Sequence, residues 1–453
     1  MRKRTVKIII VVSLMILGII PGIQAAESHL WTEQFSSDIK QFAISNDGEY
    51  IAAIDDHNLY LIDENGQELW SQSITTIVNG VAISGNGDFI SVGSYRRGSL
   101  SYTSFTSLYD NTGQLLWSQR GGYSVAISND GQHIVSCGGG IYLFHYATNG
   151  TLLWRPYSNW ASSNFDMSTN GRYVVTIYAA RPRLYDLTNK KVLYRDHSHY
   201  ATLTSAVVSN EGPRLVVGGA AGYDGTHNIY NYDFSPEDDF IHWTYRIEPR
   251  IVPDLAISEN NYVAIAGGIS GIYVIDITRG YDGKWYSAKP YYIWKYYTGH
   301  RVNSVSISSD GQYVAAGGED NTIRVIDNTG NVVWDFVSDA PIKQVEISYD
   351  GNHVAAIQGS KLHFFLTNPP ENEAPIADAG LDCLGFEGEE IKFSAIGSSD
   401  PDNDELQYRW DLDGDNAWDT EWSANPVITH TWNDDYSGQV SVEAYFPHIS
   451  KPL

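Results

Sequence analysis

FAISNDGEYIAAI at residues 42–54 returns as VAISGNGDFISVG (81–93) and again as VAISNDGQHIVSC (125–137), and this recurrence decides the fold. Each line is an apolar run ending in Ser, a turn centred on Asn/Asp-Gly, and a second apolar run. Asn-Gly or Asp-Gly between two such runs is the strongest short-range hairpin signal. The pattern continues as FDMSTNGRYVVTI (165–177), AVVSNEGPRLVVG (206–218), LAISENNYVAIAG (255–267), VSISSDGQYVAAG (305–317) and VEISYDGNHVAAI (345–357). Most copies lie about forty residues apart, the period of a repeating supersecondary unit. The two longer spacings flank the copy that begins at Leu255.

A second hairpin follows each first one. It has a strand such as LYLID (59–63), a polar turn, and a strand ending in an aromatic: Trp70, Trp117, Trp154, Tyr194, Trp243, Trp294 and Trp334. Four short strands per repeat, with no helical period anywhere, imply an all-β propeller. Near-continuous Val, Ile and Ala in the first strands place both faces of each blade against neighbours. The eighth repeat runs through LHFFLTN (362–368) and stops before a closing aromatic strand, whereas Leu30-Trp31 is an aromatic strand without a repeat. Counting it gives eight blades over 30–368, with the N-terminal strand expected to complete the last one and remove an open edge.

Composition agrees with strands and turns. The 453 residues contain 31 Tyr, 13 Trp and 41 Gly but 3 Met, and allow two or three domains. Asp and Glu number 54 against 29 Lys and Arg, a formal charge of −25. A surface this acidic repels phosphate backbones, which disfavours nucleic acid as a partner. Arg2, Lys3, Arg4 and Lys7 precede or open an apolar run from Ile8 to Ile20, followed by Pro21 and by Ala25 and Ala26. This reads as an export signal over 1–25, cleaved after Ala25; an uncleaved anchor is the alternative. Either way the remainder is expected outside the cytoplasm, secreted or at the cell surface. Cys137 and Cys383 fall in different domains, which excludes a disulfide-stapled miniature fold. They are expected to be separate thiols, and no spacing supports a cysteine zinc site.

Two propeller families resemble these repeats. GHRVNSVSISSDGQYVAAGGEDNTIRVIDNTGNVVW (299–334) resembles a WD-repeat, with Gly299-His300 upstream, Asp320 in the tight turn and Ile326-Asp327 at the usual Trp-Asp position. That likeness casts His300 as a packing and hydrogen-bonding residue. LIDENGQELW (61–70), LYDNTGQLLW (108–117) and VIDNTGNVVW (325–334) resemble the tryptophan-docking motif of pyrroloquinoline-quinone dehydrogenases and related eight-bladed envelope proteins. The resemblance implies that the Trp packs between adjacent blades. The dehydrogenases also carry adjacent cysteines, which this chain lacks, so the likeness speaks to fold rather than to chemistry.

NPPENEAP (368–375) is a Pro- and Glu-rich connector, giving a linker at 369–375. Beyond it, at 376–453, IKFSAIGSSDPDND (391–404), YRWDLDGD (408–415), THTW (429–432) and SGQVSVEAY (437–445) resemble a PKD domain, an immunoglobulin-like sandwich. The family's last strand has no counterpart after SVEAY; truncation is the expectation, and a strand supplied by a partner is the alternative. Asp411, Asp413, Asp415 and Asp419 alternate as oxygen ligands of a structural calcium would, and Asp400, Asp402 and Asp404 repeat the spacing. Turn and capping chemistry in an acidic loop uses the same pattern.

Other candidates are weaker signals. His197 and His199 beside Tyr200 could rim a binding face or ligate a metal, although solvated loop histidines have the same spacing. Arg96, Arg97, Trp160, Arg181 and Arg183 would bind an acidic glycan or partner if clustered, and are ordinary counter-charges if scattered. No hydrolase, metalloprotease, nucleotide-binding or sialidase motif is present, and no residue is singled out as catalytic. The leading expectation is a monomeric, non-catalytic surface protein that binds or adheres to protein or polysaccharide. The rivals are an extracellular propeller enzyme (hydrolase, lyase or quinone-dependent oxidoreductase) and an envelope-assembly scaffold.

Overall fold

The computed structural model describes the chain outside residues 1–4, 13–27, 99–101, 139, 159–164, 179–180, 196–202, 211–213, 221–228, 234–239, 246–250, 268–270, 279–290, 369–374, 381–382, 387, 401–404, 434–436 and 446–453. Two compact units result, Gln24–Asn368 and Met1–Ile23 with Pro369–Leu453.

The first unit is eight four-stranded sheets in sequence order. Blade 1 is Gln41–Ile44, Tyr50–Ile54, Asn58–Asp63 and Glu68–Ser73, each antiparallel to the last. Blades 2 to 7 span 77–120, 124–154, 165–195, 203–245, 255–297 and 302–337. Blade 8 holds Gln344–Ile347, His353–Gln358 and Lys361–Leu366 with a fourth strand, His29–Gln34, which lies antiparallel to Lys361–Leu366. The middle strands of the blades are buried on both faces: Ile51–Ile54 and all of Gly271–Asp276 are buried. The outermost strand Glu68–Ser73 is exposed except at Trp70. Side chains alternate across a strand, so a run apolar at every position satisfies both faces only when sandwiched.

Turn chemistry explains why the repeats look alike. Ser45 donates its hydroxyl to Asp47 (2.6 Å) and accepts the Tyr50 N–H (3.0 Å), closing the first hairpin. Ser128 with Asp130, Ser308 with Asp310 and Ser348 with Asp350 repeat the lock at 2.5–2.6 Å. Asn261, at φ 64°, takes the left-handed position in the one repeat whose turn lacks glycine, a conformation Asn tolerates.

Blades join through the outer tryptophans. Trp70 donates to the Asn111 carbonyl of the next blade (2.8 Å), Trp117 to Thr148 (2.7 Å) and Trp334 to Thr367 (2.9 Å). Trp31 of the strand His29–Gln34 donates to the blade 1 carbonyl of Glu64 at 2.7 Å. The turn glycine under Trp31 and under Trp70 is required: a Cβ on Gly66 (φ +81°) would sit 2.9 Å from Trp31, and one on Gly113 (φ +83°) 2.9 Å from Trp70.

In the second unit, one sheet has the order Cys383–Phe386, Thr5–Val12, Ser437–Tyr445, Gln407–Asp411, and Ile391–Ser394 pairs with Val427–His430. Phe393, Tyr408, Trp410, Val440 and Val442 form its core. Thr5–Val12, read from the sequence as part of an export leader, here runs parallel to Ser437–Tyr445, on the edge expected to lack a partner. An Ile/Val run has the composition both of a leader's apolar stretch and of a buried strand.

Trp334, with no accessible surface, gives the sharpest test of the docking. Trp334→Ala is expected to lower the propeller's unfolding free energy by about 3–5 kcal/mol, read as a fall in its denaturation midpoint, with smaller losses for the half-buried Trp31 and Trp117. An unchanged midpoint for Trp334→Ala contradicts the docking role.

Candidate functional site

Each blade is entered on its innermost strand and alternates in direction. The inter-blade loops and the loops joining second to third strands therefore share one end of the ring, the entrance end. The Ser and Trp-docking turns share the other, the turn end. A cavity of about 590 Å³ lies among the inner strands, with Asp166, Asp254, Ser304, Ser306, Gln344 and Glu346 in its wall.

These polar groups follow one rule. The inner strand of a blade has an edge toward the channel whose N–H groups need acceptors. Asp166 of blade 4 accepts from Val208 N–H of blade 5 (3.0 Å), and Glu346 of blade 8 from Ile44 N–H of blade 1 (3.2 Å). Ser306 of blade 7 accepts from Ile347 N–H of blade 8 (3.1 Å). Asp254 accepts from Val305 N–H (3.2 Å) and from the Ser304 hydroxyl (2.9 Å). Burial pushes Asp166 up to about 7 and Glu346 up to about 8, and the Asp254 charge adds to both against the pull of the hydrogen bonds. Asp254 is likewise raised by burial. All three residues keep some surface toward the channel, so water there moderates the shifts.

At the turn end the channel is crossed by side chains. Glu259 of blade 6 accepts from the Asn210 amide of blade 5 (2.7 Å) and the Thr169 hydroxyl of blade 4 (3.4 Å), and Asn210 also bonds Thr169. The Tyr349 hydroxyl of blade 8 joins Glu259, and burial with that partner lifts it to about 12. Around the same rim a backbone chain runs from blade to blade. Asn46 N–H donates to Gly85 O, Gly85 to Asn129, Asn129 to Thr169, Glu259 to Ser309 and Ser309 to Tyr349, at 2.8–3.1 Å.

None of these channel residues was singled out in the sequence, yet a signal existed. The second position of the repeats reads Ala43, Ala82, Ala126, Asp166, Val207, Ala256, Ser306 and Glu346. The two carboxylates stand out from small or apolar neighbours.

The residues that the sequence did single out are placed as follows. Asp411, Asp413 and Asp419 bring carboxylate oxygens within 4.8 Å of one another. Asp415 stands outside that group and accepts the Ala417 N–H (2.7 Å). Asp411 accepts the Gly414 and Asn416 N–H groups (2.7 and 3.0 Å), and Asp419 that of Leu412 (2.7 Å). Asp400 is buried; Asp402 and Asp404 lie outside the described residues, as do His197, His199, Tyr200 and Trp160. His300 does not pack as the WD-repeat likeness implied: it is exposed, and the Asp320 carboxylate pairs with the Arg324 guanidinium. Cys137 is buried and its thiol pKa is raised by that burial. Arg96, Arg97 and Arg181 are exposed at strand ends on the entrance side, and Arg183 donates to the Tyr157 carbonyl at 3.1 Å.

Comparison with known proteins agrees with this architecture. Residues 55–196 match the family model of outer membrane protein assembly factor BamB, 291–327 that of the WD domain, G-beta repeat, and 372–444 that of the PKD domain. The fold is an eight-bladed β-propeller followed by a PKD domain. BamB from Moraxella catarrhalis superposes with a TM-score of 0.55 at 13% identity, covering 75% of this chain and 99% of that one. Chaetomium thermophilum Sqt1, solved bound to the N-terminus of the ribosomal protein L10, gives 0.57 at 14% identity, covering 73% and 97%. At such identities the likeness is one of propeller fold. No curated protein matches the chain.

The channel carboxylates predict a pH dependence. Their folded-state pKa values are raised from the ordinary carboxyl range near 4, so the fold binds more protons than the unfolded chain between about pH 4 and 8. Their stabilising contribution is complete below about pH 4 and lost as pH rises through 7 to 8. The Asp166→Asn/Glu346→Gln double variant is expected to lose less stability between pH 5 and 8.5 than the parent in urea titrations. Parallel curves would contradict the assignment.

Proposed function

We propose that the protein is exported through its N-terminal segment, with cleavage after Ala25, and acts outside the cytoplasm as a monomeric, non-catalytic recognition protein. The propeller holds a partner on its entrance face, and the PKD domain serves as spacer or matrix contact. The observation that carries this reading is the engagement of the channel carboxylates. Asp166, Asp254 and Glu346 already accept N–H groups of the neighbouring blades, and hydrogen-bonded side chains cross the turn end. A general acid or base must be positioned to exchange a proton with substrate; these groups are positioned to tie blades together. Recognition then falls to the entrance loops, as in propellers that bind partners on a rigid rim. The Sqt1 complex with a ribosomal protein segment and the assembly role in BamB's name support a protein partner. The BamB likeness also supports a variant of this reading in which the partner is an envelope-assembly component.

The test is retention from envelope extract on the immobilised chain lacking residues 1–25. Retention is expected to fall at least tenfold when Tyr102→Ala and Tyr157→Ala alter the entrance face, and to persist in Asp166→Asn/Glu346→Gln. A hydrolytic or redox activity abolished by the channel variant would overturn the non-catalytic reading.

A further inference from the structure

Charge is distributed unevenly along this acidic chain. Residues 89–185, most of blades 2 to 4, hold seven arginines, no lysine or glutamate, and three aspartates. The fold sorts the two signs. Asp110 lies in a Trp-docking turn and Asp130 in a Ser turn, both at the turn end, and Asp166 faces the channel. Six of the arginines lie at or near strand ends on the entrance side: Arg96 and Arg97 end Phe89–Arg97, Arg120 ends Leu115–Arg120, Arg155 follows Leu152–Trp154, and Arg181 and Arg183 open Arg181–Asp186. All but Arg183 are exposed. Within this stretch, no carboxylate among the described residues shares that end.

Tyrosines stand among these cations. Tyr95 meets Tyr102 and Tyr123 edge-on at 5.7 and 5.8 Å. Tyr123 lies in the loop entering blade 3, its ring against Gly138, where a Cβ would come within 2.7 Å. In blade 3, Tyr142 meets Tyr157 at 6.2 Å, and the Arg155 guanidinium lies 4.6 Å from the Tyr142 ring centre. Arg183 of blade 4 reaches the Tyr157 carbonyl. Tyr102 and Tyr157 are 54% and 48% exposed, so two aromatic surfaces face solvent beside guanidinium groups.

We infer that the entrance face of blades 2 to 4 is a binding track for an acidic polysaccharide bearing carboxylate or sulfate groups. The inference rests on the reading of that face as a recognition surface and names its ligand. Arginine forks pair with such anions bidentately and remain charged at every physiological pH. A tyrosine ring offers an apolar face and a polar edge, which matches the apolar C–H face and polar rim of a pyranose. The cations are spread over three consecutive blades, which suits an extended polymer of regularly spaced charge. The acidic remainder of the chain confines any polyanion to this sector.

The experiment uses the full chain lacking residues 1–25 and measures binding of polygalacturonate, dextran sulfate, neutral dextran and poly-glutamate at two salt concentrations. The two acidic polysaccharides are expected to bind, more weakly at high salt, with dextran and poly-glutamate at least tenfold weaker. Arg96→Gln/Arg97→Gln and Tyr157→Ala should each weaken polygalacturonate roughly tenfold, as loss of charge-assisted or stacking contacts does. Arg172→Gln, at the turn end and paired with Asp186, should change nothing. Equal binding of poly-glutamate with no effect of Tyr157→Ala reduces the track to simple ion exchange and overturns the glycan assignment. So does binding of neither acidic polysaccharide. An envelope protein retained through the same face without glycan binding would sink this inference while leaving the recognition reading intact.

Discussion

A four-stranded sheet that is apolar on both faces cannot stand alone in water, and the whole propeller is an answer to that constraint. Each blade buries its faces against two neighbours, and the hydrogen bonds between blades set how the neighbours meet. At the outside, the tryptophan N–H of one blade reaches a turn carbonyl of the next. At the inside, Asp166, Ser306 and Glu346 accept N–H groups of the following inner strand. Along the turn end, the residue after the turn Ser links backbone to backbone from Asn46 through Gly85 and Asn129 to Thr169, and from Glu259 through Ser309 to Tyr349. Desolvated donors left without acceptors cost about 1–3 kcal/mol each, so these contacts favour the arrangement of blades in which every donor is met.

That division of labour bears on function. Groups that would look catalytic in isolation, three half-buried carboxylates around a cavity, are members of the inter-blade scaffold. The cations, by contrast, make few such contacts on the entrance side of blades 2 to 4, where Arg96, Arg97 and Arg181 reach solvent. In an acidic protein, a solvent-facing group of arginines set beside tyrosine rings is the feature the scaffold does not account for.

Much of this was legible in the sequence because the constraint acts locally. Ser-x-Asp-Gly turns, apolar runs and outer tryptophans repeat wherever a blade repeats, so eight hairpins could be counted without coordinates. What depends on contacts between blades was less visible. Asp166 and Glu346 are distinctive only when eight repeats are aligned, and the partnership of Thr169, Asn210, Glu259 and Tyr349 joins positions up to 180 residues apart. The reading of His300 came from a family pattern rather than from its neighbours, and the residue is exposed. In the acidic loop, turn geometry directs Asp415 to Ala417 and away from Asp411, Asp413 and Asp419. Thr5–Val12 illustrates a different limit: the apolar stretch of a leader and a buried strand share one composition.

The most direct measurement is hydrogen exchange by mass spectrometry on the chain lacking residues 1–25, with and without saturating polygalacturonate. The account predicts added protection confined to entrance-side peptides of blades 2 to 4, around Tyr95, Tyr102, Tyr142, Tyr157 and Arg181. Protection centred on the inner strands bearing Asp166, Asp254 and Glu346, or on the loop 411–419, would contradict it.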